Sequence, residues 1–319
     1  MHEFELINKF FSKLTKKNKG SFSLNDDIFF DKSKNLAVSV DTYVEGIHFI
    51  DFKHPYLLIK KILRSSISDL ICKGVKPKYY FISASGNKKY FSSKNLEKIS
   101  RSLNEEQKKY SIYLCGGDTV YSNKLSFTIT SIGFSKKVIL RNKAQINDDI
   151  YVTGVLGDSY LGLKILQNKI KLKKKLKEYF IKRYYLPDIK LDLSTKLLNF
   201  ANTSIDISDG LFSDLEKLIN NQKFSYKIYF DKIPVSKNLK SILSLKKLKK
   251  LNFISQGDDY QVLFTASPNK SRIISKTAKL LSIKIYKIGK ITPKKEISEI
   301  IDEKGMKISA KYKGYYHQF

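Results

Sequence analysis

The apolar residues of this chain recur at spacings that predict a mixture of helices and strands. Between residues 55 and 73 they return every three or four positions behind Pro55, which predicts a helix that ends at Gly74. A similar amphipathic pattern covers residues 93–109, and a further helix is predicted over residues 188–201. Strand-like runs cover residues 36–41, 79–85, 111–115 and 125–134 in the first part of the chain and residues 150–154, 204–207, 226–230 and 260–265 in the second.

The order of these elements does not follow a strict alternation of strand and helix. It predicts α+β or mixed α/β domains with antiparallel or mixed sheets, rather than a doubly wound fold. At 319 residues the chain is long enough for two domains with separate cores. The stretch at residues 138–150 predicts the boundary between an N-terminal domain, residues 1–140, and a C-terminal domain, residues 141–319.

Acidic residues stand at the ends of several predicted strands. Asp41 closes the run before it, Asp118 follows another run after two glycines, and Asp206 and Asp209 surround the end of a third. Carboxylates grouped in this way are suited to a hard divalent cation such as Mg²⁺. For residues 204–211 alone, an Asx-rich turn that caps a helix is an equally good interpretation. The repetition of the pattern favours a nucleotide site with several metal ions.

The charge balance makes these acids unusual. Lys and Arg number 60 against 30 Asp and Glu, so the formal charge is +30. Such a charge is typical of a nucleic-acid-binding surface. The lysines are spread along the whole chain and arginines are few, however, and arginine is the usual residue for bidentate recognition of bases and phosphates. The composition therefore favours a bias in amino-acid usage over a specific nucleic-acid partner.

The sequence also indicates in which cellular compartment the protein is found. No stretch of about 18 apolar residues is present, so no transmembrane helix is predicted. The acidic N-terminus lacks a signal-peptide pattern, and two cysteines are too few for a disulfide framework. Cys72 and Cys115 both lie in apolar runs, which predicts buried free thiols. We expect a cytoplasmic protein.

Several motifs, taken together and in order, resemble those of the thiamine-monophosphate kinase family. This family belongs to a superfamily shared with aminoimidazole ribonucleotide synthetase and selenophosphate synthetase. The matching segments span residues 26 to 260. They are Asp26-Asp27, Ser39-Val40-Asp41-Thr42-Tyr43-Val44-Glu45-Gly46-Ile47-His48-Phe49, Ser68-Asp69-Leu70 with Gly74, Gly116-Gly117-Asp118-Thr119, Leu140-Arg141, Asp149-Ile150-Tyr151-Val152-Thr153-Gly154 with Leu156-Gly157-Asp158-Ser159, Ile205 to Leu211, and Gly257-Asp258-Asp259-Tyr260.

The resemblance implies a fold and a reaction. The fold would have an N-terminal domain that dimerises by joining sheets into a barrel and a C-terminal α+β domain, with ATP and several Mg²⁺ ions in the cleft between them. The reaction would transfer the γ-phosphoryl group of ATP to thiamine monophosphate, giving thiamine diphosphate. No side chain is needed as a covalent nucleophile or general base, because the acceptor is an already ionised phosphate oxygen.

The resemblance also implies roles for individual residues. The positions that match metal ligands are Asp27, Ser39, Val40, Asp41, Asp69, Asp118, Asp206 and Asp209, with Val40 acting only through its backbone carbonyl. The positions that match nucleotide contacts are Gly117, Asp118, Arg141 and Ser208. The positions that match substrate contacts are His48, Asp258 and Tyr315.

Three positions depart from the family pattern. Asn25 stands where the family has glycine, Asp258 stands where it has glutamate, and the C-terminal aromatic segment carries one extra residue. Tyr315 and Tyr316 therefore compete for the role of stacking on the thiamine rings.

Two alternatives remain open. The chain could be another ATP-using enzyme of the same superfamily, although the first 71 residues lack the cysteine that a selenophosphate synthetase would carry there. It could also be a basic nucleic-acid-binding protein, but that hypothesis leaves the acidic strand ends unexplained.

Overall fold

Two β-sheets, one from each half of the chain, organise the fold. The computed structural model describes residues 3–294, 297–310 and 314–315. The first sheet has the strand order β1-β2-β5-β3-β4. Its strands are β1 (Phe29–Asp31), β2 (Leu36–Val44), β3 (Lys76–Gly86), β4 (Tyr113–Tyr121) and β5 (Ser126–Phe134). The sheet is open and is not a closed barrel within the described chain.

The second sheet has six strands in the order β11-β8-β10-β6-β9-β7. They are β6 (Asp149–Thr153), β7 (Thr203–Asp206), β8 (Ser225–Tyr229), β9 (Val262–Ala266), β10 (Ile285–Thr292) and β11 (Glu299–Ile301). In each sheet one pair of strands, β3 with β4 and β8 with β11, is parallel and the other pairs are antiparallel. The prediction of mixed sheets is therefore confirmed.

Ten α-helices surround the sheets in the described ranges. They are α1 (Glu3–Leu6), α2 (Pro55–Cys72), α3 (Ser93–Tyr110), α4 (Asp158–Leu166), α5 (Lys174–Tyr185), α6 (Ser194–Leu197), α7 (Leu211–Ile219), α8 (Lys237–Leu245), α9 (Leu251–Ile254) and α10 (Ser271–Leu280). No helix in these ranges is both long and apolar enough to cross a membrane.

Helix α2 is the central element and is buried along almost its whole length. Pro55 is in its first turn, and Gly74 follows its end with φ +82°, a conformation that glycine adopts without strain. A Cβ atom at Gly74 would also lie 2.6 Å from the side chain of Leu198. The helix packs on the first sheet and also contacts β7, α5 and α6. It therefore joins the two halves of the chain through one core.

Three predictions about local structure are wrong. Asp41, Gly117 and Asp118 lie within strands rather than at their ends, because β2 and β4 stay paired with their neighbours beyond these polar residues. The helix expected over residues 188–201 is only a 3₁₀ turn at Leu191–Leu193 followed by the short α6. Cys72 is buried as expected, but Cys115 is exposed on β4.

Candidate active site

Four acidic side chains from separate elements lie close enough to affect each other's protonation. Asp27 precedes β1, Asp41 is on β2, Asp69 is on α2 and Asp206 ends β7. We call these four residues the acid cluster. They come together because α2 is packed against both β2 and β7. Sequence positions that are up to 179 residues apart (206 minus 27) therefore share one site.

The electrostatics of the acid cluster show how closely its charges interact. Burial and the charge of Asp27 raise the pKa of Asp41 to about 7. Burial and the charges of Asp41, Asp206 and Asp27 raise the pKa of Asp69 well above its usual range. Burial also raises the pKa of Asp206 to about 8, although Ser68 donates a hydrogen bond to its carboxylate. These groups repel one another when ionised, which is the charge pattern that a bound cation relieves.

Two basic residues neutralise one end of the acid cluster. The ammonium group of Lys73 lies 2.7 Å from Asp27 Oδ2 and 3.0 Å from Asp26 Oδ1. The Arg141 guanidinium is 3.7 Å from Asp27 Oδ1, and its backbone N–H donates to Asp26 Oδ2 at 2.7 Å. Although burial opposes ionisation, these cations hold the pKa of Asp27 well below its usual range.

A second group of charges adjoins the acid cluster at the start of α7. Lys217 forms ion pairs with Asp209 and, at 3.2 Å, with Asp214 Oδ1. The other carboxylate oxygen of Asp214 accepts the backbone N–H groups of Asp209 and Gly210, each at 3.0 Å. Asp214 therefore fixes the turn that carries Asp209 between β7 and α7.

The predicted metal ligands are brought together only in part. Ser39 is buried beside the acid cluster, where its hydroxyl donates to the Ser66 carbonyl at 3.4 Å, and the Val40 side chain is exposed. Within the described residues, no group of three or more His, Cys, Asp or Glu side chains is arranged to hold a metal ion. Asp27 and Asp209 do not contribute to such a group, in part because their carboxylates form ion pairs with Lys73 and Lys217.

Asp118 and Gly117 are not brought to the acid cluster of their own chain. In the first sheet, Asp41 pairs with Ile129, which pairs with Ile82, which pairs with Gly117. Gly117 is therefore three strand spacings from Asp41, about 14 Å. Asp118 is the next residue along β4, so its side chain points to the opposite face of the sheet. All nine residues of β4 are exposed.

In the second half of the chain, backbone hydrogen bonds join the loops that carry the predicted substrate and nucleotide residues. Asp258 donates its backbone N–H to the Ser208 carbonyl at 2.9 Å, and Tyr315 donates its own to the Asp209 carbonyl at 3.1 Å. The Asp258 carboxylate accepts from the buried Lys61 ammonium at 2.6 Å. His48 lies in the turn after β2, where its Nδ1 accepts from the Val44 N–H at 3.0 Å. Tyr316 lies outside the described residues.

Gly257 makes these loops sensitive to a single added methyl group. A Cβ atom at Gly257 would overlap the Ser208 carbonyl oxygen. We expect Gly257→Ala to lower the free energy of unfolding by about 2–3 kcal/mol through overpacking. Urea denaturation checks this value. Gly46→Ala is the matched control, because nothing lies within 4 Å of its added carbon and only its φ of +80° opposes the change. Equal losses in the two variants would contradict the prediction.

The sequence patterns did not identify Lys61, Lys73, Asp214 or Lys217. All four are buried or nearly so and contact predicted site residues. A weak signal exists, since Lys73 follows Asp69 by one helical turn and Lys217 follows Asp214 by three residues. In a chain with 60 basic residues this spacing occurs often by chance, so it could not single them out.

Comparison with known proteins agrees with this architecture. Residues 25–135 match the family model for the N-terminal domain of AIR synthase related proteins. A solved structure described as AaThiL complexed with AMPPCP and TMP has a TM-score of 0.84 and 26% sequence identity, covering 99% of this chain and 97% of that one.

Curated sequences cover the whole chain as well. The thiamine-monophosphate kinase of Buchnera aphidicola subsp. Schizaphis graminum is 36% identical over 99% of this chain and 98% of its own length. The enzyme of the same name from Escherichia coli K12 is 30% identical, with the same two coverages. Identity at this level over full length shows the family, and the chain belongs to the thiamine-monophosphate kinases.

Proposed function

We propose that this protein transfers the γ-phosphoryl group of ATP to the phosphate of thiamine monophosphate, in the cytoplasm. The observation that carries the proposal is the acid cluster beside the buried Arg141, in a chain 36% identical over its length to a thiamine-monophosphate kinase. The Arg141 Nε atom is buried and has no hydrogen-bond partner in the described part of the chain. A nucleotide phosphate would supply that partner.

Mg²⁺ fits the donor set of this site. The charge repulsion within the acid cluster needs a counter-charge, and carboxylate oxygens are the ligands that Mg²⁺ prefers. Asp41, Asp69 and Asp206 would hold it, with Asp209, the Ser39 hydroxyl and the Val40 carbonyl as further donors. Asp27 is already paired with Lys73. When bound, Mg²⁺ neutralises the phosphates of the two anionic substrates.

The chain's own residues then position the reactants. Arg141 would bind a nucleotide phosphate through its free Nε, and Ser208 would contact the nucleotide from the loop between β7 and α7. An ionised phosphate oxygen of thiamine monophosphate forms the new bond to the γ-phosphorus as the bond to the β-phosphate oxygen breaks. ADP leaves with that electron pair, so no general base is required.

The substrate would lie on the side of Asp258. We infer that His48, Asp258 and Tyr315 surround the thiamine part, since they flank the acid cluster on the β2 turn, the 256–260 loop and the C-terminal segment. The ion pair with Lys61 and the hydrogen bond from the Tyr260 hydroxyl at 3.3 Å both end on Asp258 Oδ1. The second oxygen, Oδ2, would be the one that contacts the substrate.

We also propose that two chains pair through β4. The domain boundary between residues 140 and 141 would separate the N-terminal domain, which dimerises, from the C-terminal domain. An edge strand with unpaired backbone groups is a template for another strand. Tyr113, Leu114, Val120 and Tyr121 give this edge a partly apolar surface. Pairing would place Gly117 and Asp118 of each chain at the site of its partner, which accounts for their distance from their own acid cluster.

The oligomeric state tests this arrangement. We expect light scattering after gel filtration to give twice the mass of one chain. Val120→Lys should shift the protein towards monomer, because it adds like charges along the joined edge, and kinase activity should fall in parallel. Leu245→Lys, at an exposed position on α8, should leave the mass unchanged. A fully active monomer would contradict the proposal.

The reaction itself is tested directly. Purified protein is incubated with ATP, Mg²⁺ and thiamine monophosphate, and the products are separated by chromatography. We expect thiamine diphosphate and ADP in equal amounts, and no product after the metal is chelated. Nucleotide binding without either product would assign the chain to another reaction of the superfamily.

A further inference from the structure

Lys73 is an unexpected residue at the centre of the site. It directly follows the last residue of α2, and no part of it is exposed to solvent. Its ammonium group donates to the Ser204 carbonyl at 2.8 Å and lies 2.7 Å from Asp27 and 3.0 Å from Asp26. One of these contacts is a hydrogen bond to a backbone carbonyl, and the other two are ion pairs with carboxylates. The lysine is therefore held in place by two separate parts of the chain, residues 26–27 and Ser204 on β7.

The charges around Lys73 divide the acidic residues into two parts. Asp26 and Asp27 are matched by the two positive charges of Lys73 and Arg141. Asp41, Asp69 and Asp206 form no ion pair with lysine or arginine in the described ranges. A divalent cation gains most where carboxylates lack a counter-charge, and it is repelled where an ammonium group already supplies one.

We propose that Lys73 acts as a built-in cation that replaces one divalent metal ion at the Asp26–Asp27 end of the site, leaving metal binding to Asp41, Asp69 and Asp206. This inference rests on the proposed function for the presence of metal ions. It adds that the number of ions is set by a side chain of this protein. Lys73 is thus a positioning residue, since it fixes the Asp27 carboxylate and its charge without contacting a reacting atom.

A charge fixed in this way has a consequence for the free protein. The negative charges of Asp26 and Asp27 are balanced before any metal binds, because Lys73 and Arg141 belong to the chain itself. Removing the ammonium group leaves two buried carboxylates with only Arg141 as a counter-charge. A divalent ion can then take the place of the ammonium group.

Mn²⁺ binding without nucleotide or substrate tests the proposal. Mn²⁺ is counted by equilibrium dialysis and by the loss of its free paramagnetic signal, for the wild-type protein and for Lys73→Met. We expect Lys73→Met to bind one more Mn²⁺ per chain. We also expect its midpoint of thermal unfolding to be lower than that of the wild type without metal and to rise more on addition of Mn²⁺.

The matched control is Lys60→Met. Lys60 is a buried lysine on α2, but it pairs with Glu105 and, at 3.6 Å, with Glu106, away from the acid cluster. Its loss should leave the number of bound Mn²⁺ ions unchanged. If Lys73→Met and the wild type bind equal numbers of ions with equal thermal shifts, the proposal is overturned.

A second variant covers the case in which Lys73→Met does not fold. The double variant Asp27→Asn with Lys73→Met removes one charge of each sign, so it should fold without metal if the lysine acts through its charge. Failure of the double variant to fold, with Asp27→Asn alone folded, would show that the lysine is needed for packing instead. These measurements use no ATP or thiamine phosphate, so their outcome is independent of whether the proposed reaction takes place.

Discussion

Asp41→Asn and Asp209→Asn should each lower kcat by about a thousandfold, which is the scale of losing one electrostatic contact to a transferring phosphoryl group. Asp41 contributes charge to the acid cluster, and Asp209 lies on the turn that Asp214 fixes. Neither substitution removes apolar packing, and Lys217 keeps its ion pair with Asp214 when Asp209 is neutralised. The fold should therefore persist in both variants.

Asp31→Asn provides the control for this experiment. Asp31 ends β1, where it accepts hydrogen bonds from the turn residues Ser33 and Lys34, outside the acid cluster. Steady-state turnover of thiamine monophosphate is measured for the three variants and the wild type at saturating Mg²⁺. Near-normal kcat in both Asp41→Asn and Asp209→Asn would remove these residues from the metal site.

The same substitution at Asp41 should change how stability depends on pH. Burial and the charge of Asp27 raise the pKa of Asp41 from 3.8 to about 7 in the folded protein. The folded state thus binds this proton more tightly than the unfolded state, and the resulting stabilisation is lost as the pH rises from about 4 to about 7. Without metal, Asp41→Asn should lose less stability over this window than the wild type does, as measured by thermal unfolding.

Glu106→Gln should lower the free energy of unfolding by about 3–5 kcal/mol, because it leaves a buried arginine without its counter-charge. Arg64 on α2 donates to both carboxylate oxygens of Glu106 on α3, at 2.7 and 2.9 Å, and both side chains are buried. Arg64 also donates to the Pro187 carbonyl at 3.2 Å, so the pair fixes the chain after α5 as well.

Glu105→Gln is the matched control for Glu106→Gln. Glu105 is the preceding residue on α3, and its side chain is 37% exposed, so water can take over its interactions with Lys60 and Arg101. Urea denaturation should therefore show a much smaller loss for Glu105→Gln. Equal losses in the two variants would mean that burial of the Arg64 pair does not determine its contribution.

The sequence was sufficient to predict the elements with strong periodicity. The helix over residues 55–73 matches α2 closely because Pro55 and Gly74 mark its ends. Asp41 and Asp206 were proposed from their places near the ends of apolar runs, whereas Asp27 and Asp69 were proposed from the family resemblance. The position of Asp118 was not predictable, because it depends on the strand order β5-β3-β4, which no local pattern encodes.

The basic residues of the site escaped prediction for a different reason. Lys73 is fully buried and Lys217 is largely buried, and the burial of each depends on how α2 and α7 pack. Hydrophobic periodicity assigns lysine to the solvent side of a helix. The structure overrides that rule where a lysine meets carboxylates that the fold has also buried.

The position of α2 between the two sheets constrains how this protein can change over evolution. Its apolar face packs against strands of the first half, while its last turn meets β7 and α6 of the second half. An exchange of either half with a relative would have to preserve both contact surfaces of one 18-residue helix. The two halves should consequently be inherited as a single unit, in which substitutions along α2 are compensated on both sides at once.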